Sequence, residues 1–193
     1  MQPTRGAMHY HFGAWTDKEI WWILEICDLE AKIENSILSD RPESLDGLTV
    51  GLLANGKRNS EELLQYVYEV IKEEYKLNEP IYANKGNASK PWPTDLLEDL
   101  ADRCDLIITS SGDWGSCSSC SVHDGITFEK QGLPTAVICT EPFVTSGVAM
   151  AKMGGIPDYS FVVTDHPLGS LTQDDLKKRA REIAPEIISL LLN

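Results

Sequence analysis

The chain has 193 residues, 42% of them hydrophobic and 24% charged. That fits one globular domain able to bury a core without disulfides or a structural metal. Thirty acidic against 17 basic side chains give a net charge of −13, which makes nucleic acid and anionic membrane surfaces unexpected partners. No stretch approaches the roughly 20 apolar residues of a membrane span, and residues 1–15 lack an apolar signal-peptide core. A cytoplasmic location is therefore expected. The five cysteines are odd in number and do not pattern as a disulfide framework. In a reducing compartment, a Cys-x-x-Cys pair points to redox, catalytic or metal chemistry.

Residues 1–45 read as an N-terminal arm and helix, and residues 46–193 as an α/β domain. Thr16 and Glu19 have capping-box spacing, and Trp15 with Ile20 has hydrophobic-staple spacing. The helix they start should run to about Leu38, with a core stripe through Ile20, Ile23, Leu24, Cys27 and Ala31. Trp21 and Trp22 widen that stripe and, with Trp15, leave homo-oligomerisation open. Arg41 to Ser44 breaks the chain. Thr49 to Ala54 reads as a buried strand, followed by a helix over 60–75 and a short strand near 80–83. Thr94 can cap a helix through Arg103. Leu106 to Thr109 is the next buried strand and ends at a cysteine-bearing loop. A helix over 122–131 follows, closed by Gly132 and Pro134, then a strand over 135–139, a helix over 145–153 and a last strand over 160–163. Thr172 caps a final helix to Leu192, which Pro185 should kink. Continuously apolar strands alternating with helices predict a doubly wound, three-layer α/β sandwich with a mostly parallel sheet, plus the N-terminal helix.

In such sheets ligands bind outside the carboxyl ends of the strands. The segments there are Asn55 and Gly56, residues 84–86, the loop from Ser110 to Cys120, residues 139–143, and residues 165–169. In the long loop, Gly112, Gly115 and the serines allow backbone N–H groups to converge on an anion. Cys117 and Cys120 precede the next helix, where a thiolate is favoured. Cys117 could then attack an electrophilic centre, with Cys120 as resolving partner. His123 is a candidate general base or thiolate partner, and Asp113 and Glu141 are candidate orienting carboxylates. Ser110, Ser111, Gly112, Trp114, Gly115, Ser116, Thr140, Glu141 and His166 complete the expected substrate-binding set. Cys27, Cys104 and Cys139 read as packing residues. A zinc site from Cys117, Cys120, His123 and Cys139 lacks the usual second Cys-x-x-Cys, so no metal is assigned. The phosphatase pattern fails because an arginine six residues after the cysteine is missing. No three-glycine dinucleotide fingerprint and no phosphate-binding lysine loop is present. No cofactor is expected.

At this loop the sequence resembles the UGSC family, named for selenocysteine-Gly-Ser-Cys. The resemblance rests on Gly112 to Cys117, Ser121 to Gly125, Gly132 to Thr135, and Cys139 to Phe143, and spans about residues 48–169. It implies selenocysteine or cysteine where this chain has Trp114. A fainter likeness is to the selenocysteine subunit of glycine, sarcosine and betaine reductase. Counted back from Pro134, the selenocysteine-x-x-cysteine pair of those enzymes falls on Cys117 and Cys120, and their later Pro-Leu-Gly turn on Pro167 to Gly169. That likeness implies reductive cleavage of a carbon–heteroatom bond, with Cys117 attacking and Cys120 resolving. Trp114 is neither nucleophile nor redox group, so it is either a stacking wall beside Cys117 or the mark of a binding subunit that works with a partner. The expectation is a cysteine-thiolate-dependent enzyme acting on a small organic substrate, at a carbon–sulfur or other carbon–heteroatom bond. The alternatives are a non-catalytic subunit or binding module of a reductase-like complex, or a thiol-redox protein.

Overall fold

A computed structural model of the chain describes residues 38–192. The expected N-terminal helix, with Trp15, Trp21, Trp22 and Cys27, lies outside the described residues. Five strands form one parallel sheet: β1 (Val50–Ala54), β2 (Ile81–Asn84), β3 (Leu106–Gly112), β4 (Thr135–Thr140) and β5 (Val162–Thr164), in spatial order β2-β1-β3-β4-β5. The connecting helices are α1 (Ser60–Ile71), α2 (Thr94–Arg103), α3 (Gly115–Lys130), α4 (Val144–Met153) and α5 (Gln173–Leu191). A short 3-10 turn, Glu141–Phe143, leads into α4.

Alternation along each strand divides the core between two faces. Leu52, Ile108 and Ile138 turn toward the apolar stripes of α1 (Leu63, Leu64, Val67) and α5 (Leu176, Ala180, Ile187). On the other face Leu53 and Ile107 meet Leu97 and Leu100 of α2 and Phe128 of α3. Val137 meets Val122 and Ile126 of α3 and Ala151 of α4 there. The result is the expected three-layer α/β sandwich. Strand order reverses between β1 and β3, and in sheets of this kind ligands bind outside the carboxyl ends of the strands at that point.

Arg41, read from sequence as part of a chain break, pins residues 38–45 to the domain. Its guanidinium donates to both oxygens of buried Glu129 at 2.8 Å and to the Leu190 carbonyl at 2.9 Å. Glu129 also accepts from the Ser39 amide and the Thr135 amide. Leu45 is buried in the core that these bonds close.

Three elements differ usefully from the sequence expectation. The helix expected from residue 122 begins at Gly115, so Cys117 and Cys120 stand on α3 rather than in a loop, and His123 is on its third turn. Glycine and four serines have poor helix propensity, yet their small side chains let this turn pack closely against the sheet. A Cβ at Gly125 would lie 2.5 Å from both the Tyr159 hydroxyl and Val137 Cγ2. Strand β3 also runs three residues further than expected, to Gly112, with a register shift against β4 between Ser110 and Gly112. Thr94 is the first residue of α2, not its cap, and Pro93 takes the cap position without a side-chain bond. Thr172 does cap α5, accepting from the Asp175 amide.

Candidate functional site

The site is built where β1, β3, β4 and β5 end. Gly112 closes β3 in a space that admits no side chain: a Cβ there would lie 2.5 Å from Ser118 Oγ and 2.6 Å from Cys139 Sγ. This close approach of strand and helix delivers Asp113 and Trp114 to the sheet edge. Asp113 is 6% exposed. Its carboxylate accepts from the Leu168 amide at 3.1 Å, the Gly169 amide at 3.2 Å and His166 Nδ1 at 3.1 Å.

Those contacts call for a donor at the ring nitrogen that faces Asp113. An ionised carboxylate has no proton to give, so Nδ1–H of His166 donates. Thr140 Oγ1, 3.3 Å from the same nitrogen, already donates to the Gly112 carbonyl at 3.0 Å. Nε2 has no hydrogen-bond partner among the described residues, on a side chain that is 33% exposed. This is the orientation that a carboxylate imposes on a proton-transferring histidine.

Neighbouring loops hold the pair in place. Asn59, in the left-handed region at φ 68°, donates from Nδ2 to the Leu168 and Leu171 carbonyls and so fixes the loop bearing His166. Asn55 donates to the Ser111 carbonyl and accepts from the Lys57 amide, which ties the loop after β1 to the end of β3. Ser60 donates to the Ser110 carbonyl. The hydroxyls of Ser110 and Ser111 are buried and have no hydrogen-bond partner among the described residues.

An aromatic row borders the histidine. Trp114, 61% exposed, stacks on Phe143 at 6.3 Å between centroids and 21° between planes. Phe143 meets His166 edge-on at 5.5 Å, and Lys57 Nζ stands 6.0 Å from the centre of the Trp114 ring. Lys57 and Phe143 were not among the residues singled out from sequence. Their signal was positional, since each lies in the first few residues after a buried strand.

The cysteines lie deeper. Cys117, in the first turn of α3, is 1% exposed. Cys120, one turn on, is half-buried, and that burial pushes its thiol up from the ordinary value despite the opposing charge of Lys85. The expectation of a helix N-terminus lowering this thiol is thereby corrected for Cys120, which lies beyond the first turn, where the dipole acts. Cys139 is buried and pushed up to about 12, and Cys104 to about 11, both chiefly by desolvation, as befits packing residues.

His123 is exposed, and among the described residues its ionic neighbour is Asp124 at 3.6 Å; no hydrogen bond joins it to Asp113 or His166 there. Asp124 is buried and paired with Lys85 Nζ at 2.5 Å, and it accepts from the Trp92 amide. That pair fixes the loop after β2 to α3. Ser116 Oγ lies 3.3 Å from Ser89 Oγ. Gly115 is half-buried beside Ser146, and Glu141 is exposed at the start of the 3-10 turn. Among the described residues no three His, Cys, Asp or Glu side chains are grouped to hold a metal ion, and no helix is long and apolar enough to cross a membrane.

Sequence comparison matches the UGSC family over residues 27–193. The chain belongs to the UGSC family. No curated protein and no solved structure matches it. In this UGSC protein the residue at the cap of α3, Trp114, is the exposed one, while the cysteine three positions on is enclosed.

Proposed function

We propose that this UGSC protein is an enzyme that cleaves or forms a carbon–heteroatom bond in a small organic substrate, with His166 as its proton-transferring group. The observation that carries the reading is the 3.1 Å contact of His166 Nδ1 with buried Asp113 at the strand-end crevice. Asp113, which also accepts from two backbone amides, orients the ring through Nδ1 and leaves Nε2 to act as the base. In the cleavage direction Nε2 takes a proton from the carbon adjacent to the carbon–heteroatom bond, the C–H pair becomes a carbon–carbon double bond, and the heteroatom leaves with the pair of the bond that breaks. In the reverse direction the imidazolium returns that proton. Positioned acid–base catalysis of this kind supplies roughly 10²–10⁴-fold in rate.

A specific observation favours a second reading, in which Cys117 is the nucleophile. It occupies the first turn of α3, and Cys120 stands one turn away as resolver. Its enclosure requires that the crevice open before an electrophile can reach it.

The two readings separate in one experiment. A panel of small carbon–sulfur, carbon–nitrogen and carbon–oxygen compounds is screened for heteroatom release with wild type, His166→Gln and Cys117→Ser. Loss of at least about 10²-fold in His166→Gln with activity kept in Cys117→Ser supports the imidazole reading. Loss in Cys117→Ser, with a substrate adduct on Cys117 by mass spectrometry in wild type, supports the thiol reading. Activity equal in all three proteins refutes both.

A further inference from the structure

The row that borders His166 has a chemical order. Moving along the sheet edge, the loop after β1 contributes a cation, Lys57; the end of β3 contributes the indole of Trp114; the turn after β4 contributes Phe143; and the loop after β5 contributes the imidazole. The indole is 61% exposed although it is large and apolar, and Phe143 stacked against it keeps its plane upright. Lys57 makes no ion pair among the described residues, and neither does the adjacent Arg58. In a chain with 30 acidic and 17 basic side chains, Lys57 sets a cation beside the exposed indole. The nearest buried carboxylate of the site, Asp113, is already occupied by three donors.

We infer that the substrate of this site is a small planar organic anion, which lies against the Trp114 face, sets its acid group on Lys57 and presents its reacting atoms to His166. The inference rests on the strand-end crevice being the working site and names what it takes. A flat π-bearing ligand gains stacking on the exposed indole. An acid group gains a charge-assisted bond to an ammonium that otherwise has only the weaker attraction of the ring face. A cationic ligand would meet Lys57 with like charge, so the row selects by sign as well as by shape.

The test uses the whole chain and four probes: benzoate, benzamide, cyclohexanecarboxylate and benzylammonium. Binding is followed by the indole N–H resonance of Trp114, assigned through Trp114→Phe, and by calorimetry. Benzoate should bind at least about tenfold more tightly than each of the others. Lys57→Met should remove the preference for benzoate over benzamide, and Trp114→Ala the preference for benzoate over cyclohexanecarboxylate. The inference is overturned if benzoate does not bind saturably, if benzamide matches it in wild type, or if the preference survives Lys57→Met. His166→Gln separates the levels: a benzoate preference kept there, together with no heteroatom release by wild type, means that the anion class stands and the proton-transfer reading fails.

Discussion

Replacing Asp113 by asparagine keeps shape and volume but removes the charge and half of the acceptor capacity. Oδ1 accepts from the Leu168 amide and His166, and Oδ2 from the Gly169 amide. If the amide oxygen takes the Oδ1 place, the new NH₂ faces the Gly169 N–H. If it takes the Oδ2 place, the NH₂ faces both the Leu168 amide and the imidazole. Either way at least one donor at a position only 6% exposed loses its acceptor. Bonds to a charged group contribute about 1.5–3 kcal/mol each, and a stranded buried donor costs about 1–3 kcal/mol. The variant should therefore be destabilised by about 2–4 kcal/mol. With a urea slope of about 2 kcal/mol/M, the midpoint should fall by roughly 1–2 M. Equilibrium urea unfolding followed by circular dichroism and by tryptophan fluorescence gives the number. A change below about 0.5 kcal/mol would show that Asp113 is not the anchor of the His166 loop.

Gly125→Ala should be destabilising by about 1–3 kcal/mol although alanine is the better helix former by about 1 kcal/mol, because the added methyl meets Tyr159 and Val137; thermal unfolding of the variant checks the sign. The thiols of Cys139 and Cys104 are held neutral to about 12 and about 11, whereas in the unfolded chain they ionise near 8.5. The native state then binds more protons than the unfolded one, so stability is complete below about pH 8.5 and declines as pH rises toward 11–12. Urea midpoints measured from pH 8 to 10.5 should fall, and a Cys104→Ala/Cys139→Ala double variant should flatten the decline. Residue-resolved alkylation of the native protein at pH 8 should label Cys120 ahead of Cys104, Cys117 and Cys139, since it alone of the four is not fully enclosed.

Apolar strands set between amphipathic helices made the α/β sandwich readable, because alternation of element type is a local property of the chain. Strand order was not local, and it is what brings the ends of β3, β4 and β5 together. Asp113 and His166 were each singled out, but as separate candidates. Their contact joins residues 53 apart and exists only once β5 lies beside β4 and Asn59 holds the intervening loop. The start of α3 was missed because glycine, serine and cysteine carry no helical period, and close packing on the sheet outweighs their propensity. Cys117 was read at the strand–helix junction as facing the crevice; it stands there on the first turn of α3, but its side chain is enclosed, with Cys139 among its neighbours. Arg41 was misread because proline, glutamate and serine after it resemble a linker, while its buried partner Glu129 is 88 residues away.

The central claim is that Asp113 holds the imidazole of His166 with the proton on Nδ1 and the lone pair on Nε2. Long-range proton–nitrogen NMR of the ¹⁵N-histidine-labelled protein at pH 8 reads this tautomer directly. The claim predicts a protonated Nδ1 in wild type and a shift of population toward protonated Nε2 in Asp113→Asn. A wild-type ring with its proton on Nε2, or one unmoved by the substitution, would contradict it.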